Sequence, residues 1–146
     1  MRPDDLRPIV VLEDCDEDFA TLIAVLRERG APNPVHRAVN GEALIELVRG
    51  GQLALAAFVL LNLSTPGMDG REVLVQLKSD PDTRAIPVIV LTTSSNARDV
   101  SDCYAQGANA YHLKLVRYDE YRGVLRALLD YWLRTVVQWS SEARAR

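Results

Sequence analysis

The sequence predicts an α/β fold: a doubly wound parallel sheet of five strands with helices on both faces. Short apolar runs rich in β-branched residues alternate along the chain with amphipathic stretches, which is the pattern of that architecture. With 146 residues, of which 48% are hydrophobic, the chain suits one domain with a continuous core. We expect this domain at residues 8–133, between an N-terminal tail at 1–7 and a C-terminal helical extension and tail at 134–146.

The first two strand and helix pairs are marked by a change of apolar spacing. Residues 9–12 form an uninterrupted apolar run, which is typical of a strand buried on both faces. A helix that ends at Gly30 follows, because apolar residues recur there at i, i+3, i+4 and i+7. Those positions are Phe19, Leu22, Ile23 and Leu26. Residues 35–39 predict a second strand, and Asn40 is the predicted cap of a helix that stops before Gly50.

The third and fourth pairs follow the same order. Residues 58–61 predict a buried third strand, and a turn rich in Gly and Pro leads to a helix with apolar positions at Val73, Leu74 and Leu77. Pro87 opens a fourth strand at residues 88–91. Either Ser95 or Asn96 is expected to cap the fourth helix, whose apolar residues are Val100, Cys103 and Tyr104 and which Gly107 ends.

The last pair predicts an extended C-terminal helix. A short fifth strand at residues 110–113 precedes a helical apolar stripe that starts at Tyr121 and continues to Val137. Near its end this stripe is apolar on more than one face. We therefore expect the apolar surface of this helix end to be covered, either by a second copy of the chain or by the chain's own sheet.

Composition excludes several classes of function. The formal net charge is −3, the pI is near 5.4, and no stretch concentrates Lys and Arg, so direct nucleic-acid binding is not expected. The apolar run at residues 54–61 is too short to span a bilayer, and we expect no membrane insertion and a cytoplasmic protein. Cys15 and Cys103 form no CxxC pair and are expected to be reduced thiols.

Polar residues follow the predicted strands at their carboxyl ends, where open parallel sheets place their binding crevice. They are Glu13, Asp14, Asn62, Thr92, Thr93 and Lys114. Two carboxylates about 4 Å apart repel by about 4 kcal/mol at an effective dielectric of 20, and a hard cation such as Mg²⁺ would offset this. In the alternative interpretation the acids are a solvated strand end in which Asp14 or Asp16 caps the next helix.

Taken together, these positions resemble the receiver domain of two-component signalling over residues 8–133. Glu13 and Asp14 resemble its acidic metal-binding pair, and Pro66-Gly67-Met68-Asp69-Gly70 resembles the loop after its acceptor strand. Thr92 matches its switch hydroxyl, Tyr111 its switch aromatic and Lys114 its phosphoryl-pairing lysine. The resemblance implies a flavodoxin-like (βα)5 fold with strand order 2-1-3-4-5. It also implies Mg²⁺ bound by Glu13, Asp14, Asn62 and the backbone carbonyl of Ser64.

Two residues depart from the family pattern. Asn62 stands at the phosphoacceptor position, where an amide carries no charge and is not a nucleophile toward a phosphoryl donor. We therefore expect no phosphorylation of the chain as written, and weakened Mg²⁺ binding. Leu115 follows Lys114 where the family usually has proline, and we expect a trans peptide there because a cis bond before a non-proline residue costs about 2.5 to 4 kcal/mol.

The C-terminal segment resembles that of single-domain regulators that serve phytochrome-type histidine kinases. That resemblance implies a homodimer through this end and the face of the fourth and fifth helices. The expected contacts are Tyr131, Trp132, Val136 and Trp139. Alternatively, Trp132 and Leu133 pack on their own sheet. A kinase's histidine domain is expected to touch the rim of the first helix at Cys15, Asp16 and Asp18.

Three functions are compatible with these residues. The first is a stand-alone, non-enzymatic receiver in a histidine-kinase phosphorelay, of which the Asn62 chain is an inactive form, whether natural or introduced. The second is a pseudo-receiver that binds or dimerises without phosphorylation. The third is a flavin carrier, which the acidic loop after the first strand disfavours because it would repel a phosphate. His36 and His112 are interpreted as ordinary residues of the fold.

Overall fold

A computed structural model describes residues 7–50, 56–65 and 67–137 of the chain. Within them, strands and helices alternate in the predicted order. The strands are β1 (Ile9–Leu12), β2 (Val35–Ala38), β3 (Phe58–Leu61), β4 (Val88–Thr92) and β5 (Ala110–Leu113). The helices are α1 (Asp16–Glu28), α2 (Gly41–Arg49), α3 (Gly70–Ser79), α4 (Ala97–Ala105) and α5 (Tyr118–Asp130), and a π-helical turn continues α5 at Tyr131–Thr135.

The five strands form one parallel sheet in the order β2-β1-β3-β4-β5, as predicted. Strand β1 pairs with two neighbours: Ile9 lies opposite Val35 of β2 on one side and opposite Phe58 of β3 on the other. Two strand ends differ from the prediction by one residue: β2 stops at Ala38, and β4 includes Thr92.

A hydrophobic core lies on each face of the sheet, which is why the central strands are apolar throughout. On one face, alternate residues of β1 and β3 pack against α2 and α3. On the other face, Ile9, Val11, Phe58 and Leu60 pack against α1 and α5. This two-sided burial explains the apolar runs without alternation that predicted the strands.

Side-chain caps fix where helices α2 and α4 begin. Asn40 accepts a hydrogen bond from the Ala43 amide at 2.8 Å, which confirms it as the cap of α2. Asn96 and not Ser95 caps α4. Helix α1 has Cys15 as its N-cap, so the alternative in which Asp14 or Asp16 caps that helix is wrong.

The helix at the C-terminus is extended as predicted, but its last turn is π-helical and ends at Thr135, two residues before Val137. Trp132 is only 9% exposed and its ring lies 6.5 Å from that of Phe58, so it packs on its own core and is not available as a dimer contact. Tyr131 is 50% exposed. Trp139 lies outside the described residues.

An ion pair between α1 and α5 holds this end of the molecule in place. Arg29 Nε donates to Asp130 Oδ1 at 2.8 Å, and a second guanidinium nitrogen of Arg29 pairs with the other carboxylate oxygen. Arg134 donates to the backbone carbonyl of Arg29. The π-helical turn is therefore attached to the end of α1 as well as to the core.

In the part of the chain that the structure describes, every helix is too short or too polar to cross a membrane.

Candidate functional site

The register of the parallel sheet brings the predicted polar residues to one edge. Three backbone hydrogen bonds show this. The backbone N–H of Glu13 donates to the Ala38 carbonyl at 3.0 Å, that of Asn62 to the Leu12 carbonyl at 3.2 Å, and that of Lys114 to the Thr92 carbonyl at 2.7 Å. Each of these bonds continues a strand ladder by one step, so the side chains that follow the strands lie at the same end of the sheet.

Lys114 lies between two carboxylates in this crevice. Its Nζ is 2.6 Å from Glu13 Oε1 and 2.8 Å from Asp18 Oδ2, and it lies 5.9 Å from the centre of the Tyr121 ring. Burial alone would lower the pKa of Lys114, but hydrogen bonds and charge from Asp18 and Glu13 outweigh this and raise it. The lysine is therefore held as a cation inside an acidic pocket.

The peptide between Lys114 and Leu115 is trans, as predicted, since the described residues include no cis bond. The trans bond does not keep the lysine out of the pocket, because its side chain is only 11% exposed and reaches Glu13.

The side-chain amide of Asn62 lies in the same pocket. Its Nδ2 donates to Glu13 Oε2 at 3.2 Å and to Asp14 Oδ1 at 3.4 Å, and its Oδ1 accepts from the Ser64 amide at 3.3 Å. The opposite orientation would set the amide oxygen against two carboxylates and its NH₂ against a backbone donor. This geometry therefore fixes which end of the amide faces the acids.

The residues expected to hold Mg²⁺ do not fit a divalent cation as they are arranged. Both carboxylate oxygens of Glu13 already accept hydrogen bonds: Oε1 from Lys114, and Oε2 from Asn62 and from the Cys15 amide at 3.2 Å. The Asn62 NH₂ also points at Asp14, where the cation would lie. Among the described residues, no cluster of three or more His, Cys, Asp or Glu side chains is arranged to bind a metal.

The two predicted switch residues meet at Ser94. Thr92 is buried, and its Oγ1 accepts from the Ser94 amide at 3.3 Å. The Tyr111 hydroxyl donates to the Ser94 carbonyl at 2.8 Å. Burial raises the pKa of Tyr111, so the phenol remains a donor through the physiological range.

Several residues around Ser94 and Lys114 were not predicted from the sequence as parts of the site. Ser94 Oγ donates to Asp99 at 2.6 Å, and Arg71 on α3 pairs with Asp99 on α4 at 3.1 Å. Asp18 was assigned to partner contact but binds Lys114. Its position in the first turn of α1, four residues after Asp14, was the available signal.

The remaining candidates lie elsewhere. Cys15 is a half-buried free thiol at the start of α1, and Asp16 pairs with Arg37 at 2.8 Å. His36 lies within β2 and His112 within β5. Burial lowers the pKa of His112.

The sheet order and the residues at its edge define a receiver domain, and comparison with known proteins agrees. Residues 9–126 match the family described as the response regulator receiver domain, and the chain belongs to that family. FilR2, a probable methanogenesis regulatory protein of Methanothrix harundinacea, is 31% identical over 128 residues, which are 86% of this chain and 83% of FilR2.

Two cyanobacterial regulators are similar in sequence and structure. Response regulator Rcp1 of Synechocystis is 41% identical over 78 residues, which are 53% of each chain. Its Mn²⁺-bound crystal structure matches with a TM-score of 0.85 at 30% identity and covers 92% of this chain and 99% of Rcp1. The phosphorylated cyanobacterial phytochrome response regulator RcpA gives the same four values. These matches confirm the flavodoxin-like receiver fold and a relationship to phytochrome response regulators.

Proposed function

We propose that this chain is the receiver of a histidine-kinase phosphorelay and that Asn62 occupies its phosphoacceptor position, so that the chain as written does not accept a phosphoryl group. One observation carries the proposal: the Asn62 side chain lies at the end of β3, 3.2 Å from Glu13 and 3.4 Å from Asp14. An acceptor must lie there to meet a phosphoryl donor beside the acidic pair. The carboxamide is neutral and not nucleophilic, so covalent switching is lost.

The other residues would serve a carboxylate at that position. Lys114 supplies a positive charge and Thr92 a hydroxyl for phosphoryl oxygens, and Tyr111 would report the change through Ser94. With a carboxylate at position 62, Glu13, Asp14 and the Ser64 carbonyl would hold Mg²⁺ to balance charge; with Asn62 in place, its binding is weakened. The domain signals through partners and performs no turnover of its own.

A pseudo-receiver that works without phosphorylation is the second candidate. One observation favours it: the Asn62 amide and the Lys114 ammonium both have partners within the resting pocket. A pocket that is complete in this way needs no phosphoryl group to be stable.

Restoring the carboxylate distinguishes the two. We expect the Asn62→Asp variant to gain one labile phosphoryl group after incubation with an acyl-phosphate donor and Mg²⁺, detected by intact mass. The unchanged chain should gain none. Asn96→Asp makes the same chemical change at the cap of α4, where an aspartate caps equally well, and should also gain none. If the Asn62→Asp variant stays unmodified while folded, the pseudo-receiver is the better description.

The partners that we propose are a sensor histidine kinase of phytochrome type in the cytoplasm and a second copy of this chain. Sequence and structural likeness to RcpA and Rcp1 supports the first. For the second, we propose the face of α4 and α5 with Tyr131 and Val136, and with Trp139 beyond the described residues. A cleft of about 340 Å³ between β5 and α5, lined partly by Tyr131, supports this face.

The dimer is tested by sedimentation velocity at several protein concentrations. We expect a dimer that the Tyr131→Glu substitution dissociates, because it places a charge on an apolar contact. Tyr118→Glu is the matched control: Tyr118 is similarly exposed but lies at the other end of α5, beside Arg122. A monomer mass at all concentrations contradicts the proposal, and so does equal dissociation by both substitutions.

A further inference from the structure

The acidic pocket at the end of the sheet contains its own hydrogen-bond donors, one of which is charged. Three carboxylates point into it, from Glu13, Asp14 and Asp18. Two groups oppose them: the Lys114 ammonium and the NH₂ of Asn62. Every one of these carboxylates accepts at least one hydrogen bond from that pair of residues.

Burial makes the contact between Lys114 and Glu13 strong. The Glu13 side chain is 6% exposed and that of Lys114 is 11% exposed, so water screens their interaction weakly. Removing the Lys114 charge would leave the Glu13 carboxylate buried without a cation, which is much more costly than losing an exposed pair. Lys114 is therefore a fixed part of the resting pocket.

A divalent cation and Lys114 compete for the same carboxylate. Mg²⁺ binds carboxylate oxygens at about 2.0–2.1 Å, and the Lys114 nitrogen already lies 2.6 Å from Glu13 Oε1. An ion on this carboxylate would be a few ångströms from the ammonium and would be repelled by it. It would also meet the hydrogen atoms of the Asn62 amide in place of an oxygen ligand.

We infer that Lys114 and the Asn62 amide take the place of the metal in this chain, so that its acidic pocket excludes divalent cations. Asp18 stabilises the arrangement, because it gives Lys114 a second carboxylate without contributing to the Glu13 and Asp14 pair. The inference deepens the proposed function: in a receiver with Asn62 the carboxylates are held by one ammonium and one amide of the chain itself, and the pocket remains in one state whether or not Mg²⁺ is present.

Mn²⁺ titration followed by the electron paramagnetic resonance of the free ion tests this directly. The unchanged chain should leave the free-ion signal nearly undiminished. The Lys114→Gln variant should bind Mn²⁺ about tenfold or more tightly, since the competing charge is gone. Asn62→Asp should do the same by adding an oxygen ligand with a charge. Arg117→Gln removes one positive charge from an exposed side chain three residues from Lys114, and should change nothing.

Circular dichroism confirms that each variant is folded. If Lys114→Gln is not, Asn62→Ala serves in its place: it removes the amide donor without adding a charge, and should also bind Mn²⁺ more tightly. The inference is overturned if the unchanged chain binds Mn²⁺ as tightly as Asn62→Asp, or if a folded Lys114→Gln or Asn62→Ala shows no gain.

The failure of this inference and that of the proposed function give different results. A chain that binds Mn²⁺ tightly, with an Asn62→Asp variant that is phosphorylated, overturns the inference alone. Tighter Mn²⁺ binding by Lys114→Gln, with an Asn62→Asp variant that is never phosphorylated, overturns the function alone.

Discussion

Replacing Trp132 with alanine is expected to lower the free energy of unfolding by about 3 kcal/mol, near the lower end for a buried tryptophan because some of its edge is exposed. Its indole packs in the core between the sheet and α5, tilted by 52° against the Phe58 ring. Truncation leaves a cavity beside the cleft between β5 and α5, which the surrounding strands cannot close. Urea unfolding followed by circular dichroism measures the change.

Tyr131 is the matched control for this prediction. It is adjacent in sequence and contacts the Trp132 ring edge-on, with centroids 5.2 Å apart, but half of its surface is exposed. Tyr131→Ala should therefore cost less than about 1.5 kcal/mol. The loss for Trp132→Ala should be independent of protein concentration because it arises within one copy, whereas any further loss for Tyr131→Ala at the proposed dimer face should depend on concentration. A small loss for Trp132→Ala that grows at high protein concentration, where the dimer is populated, would return Trp132 to the dimer interface.

Trp132 shows why apolar residues at helical spacing did not predict whether a side chain packs in the core or at a dimer interface. The spacing of apolar residues near the end of α5 marks a hydrophobic surface, but it does not say whether the chain's own sheet or a second copy covers it. The π-helical turn at Tyr131–Thr135 adds a further shift of side-chain direction that regular periodicity cannot anticipate.

Most of the fold was predictable because the sheet is buried on both faces. The apolar runs of β1, β3 and β4, with amphipathic stretches between them, gave the parallel α/β class directly. Strand order required the resemblance to receivers. The ends of the strands then located Glu13, Asn62 and Lys114 together, since parallel strands share one carboxyl edge.

The interactions inside the pocket were not predictable in the same way. The pairing of Lys114 with Asp18 joins residues 96 positions apart and depends on where α1 lies over the sheet. The bridge from Arg71 to Asp99 likewise depends on the packing of α3 beside α4. Residue types and spacing place such groups at an edge, but rotamers and packing decide which groups bind each other.

Gly70 is expected to be intolerant of any side chain. Its replacement should lower the stability of the fold and also disturb the site around position 62. A Cβ at this first residue of α3 would lie 2.3 Å from the Asn62 carbonyl oxygen and 2.7 Å from Leu63 Cα. Both are backbone atoms, and the Asn62 amide is bonded to Leu12 in the sheet, so the strand end cannot move away alone. We expect Gly70→Ala to cost about 3 kcal/mol in unfolding free energy, at the upper end for overpacking.

The same displacement should also slow phosphorylation at position 62. Relief of the clash requires α3 or the end of β3 to shift, and a shift there moves the side chain at position 62 away from Glu13 and Asp14. In the Asn62→Asp background, Gly70→Ala should therefore slow phosphorylation by a small-molecule donor by about a hundredfold, the loss expected for a displacement of about 1 Å at a reacting group. Intact mass against time measures it at a temperature where the variant remains folded.

Gly123→Ala provides the control with the opposite sign. A Cβ at Gly123 in α5 would meet nothing within 4 Å, so alanine there should stabilise the helix by about 0.5–1 kcal/mol and leave the phosphorylation rate unchanged. Gly70→Ala with unchanged stability would mean that α3 moves freely over the end of β3. In that case the tight contact between Gly70 and the Asn62 carbonyl does not hold the site in place, and another element must position the residue at 62.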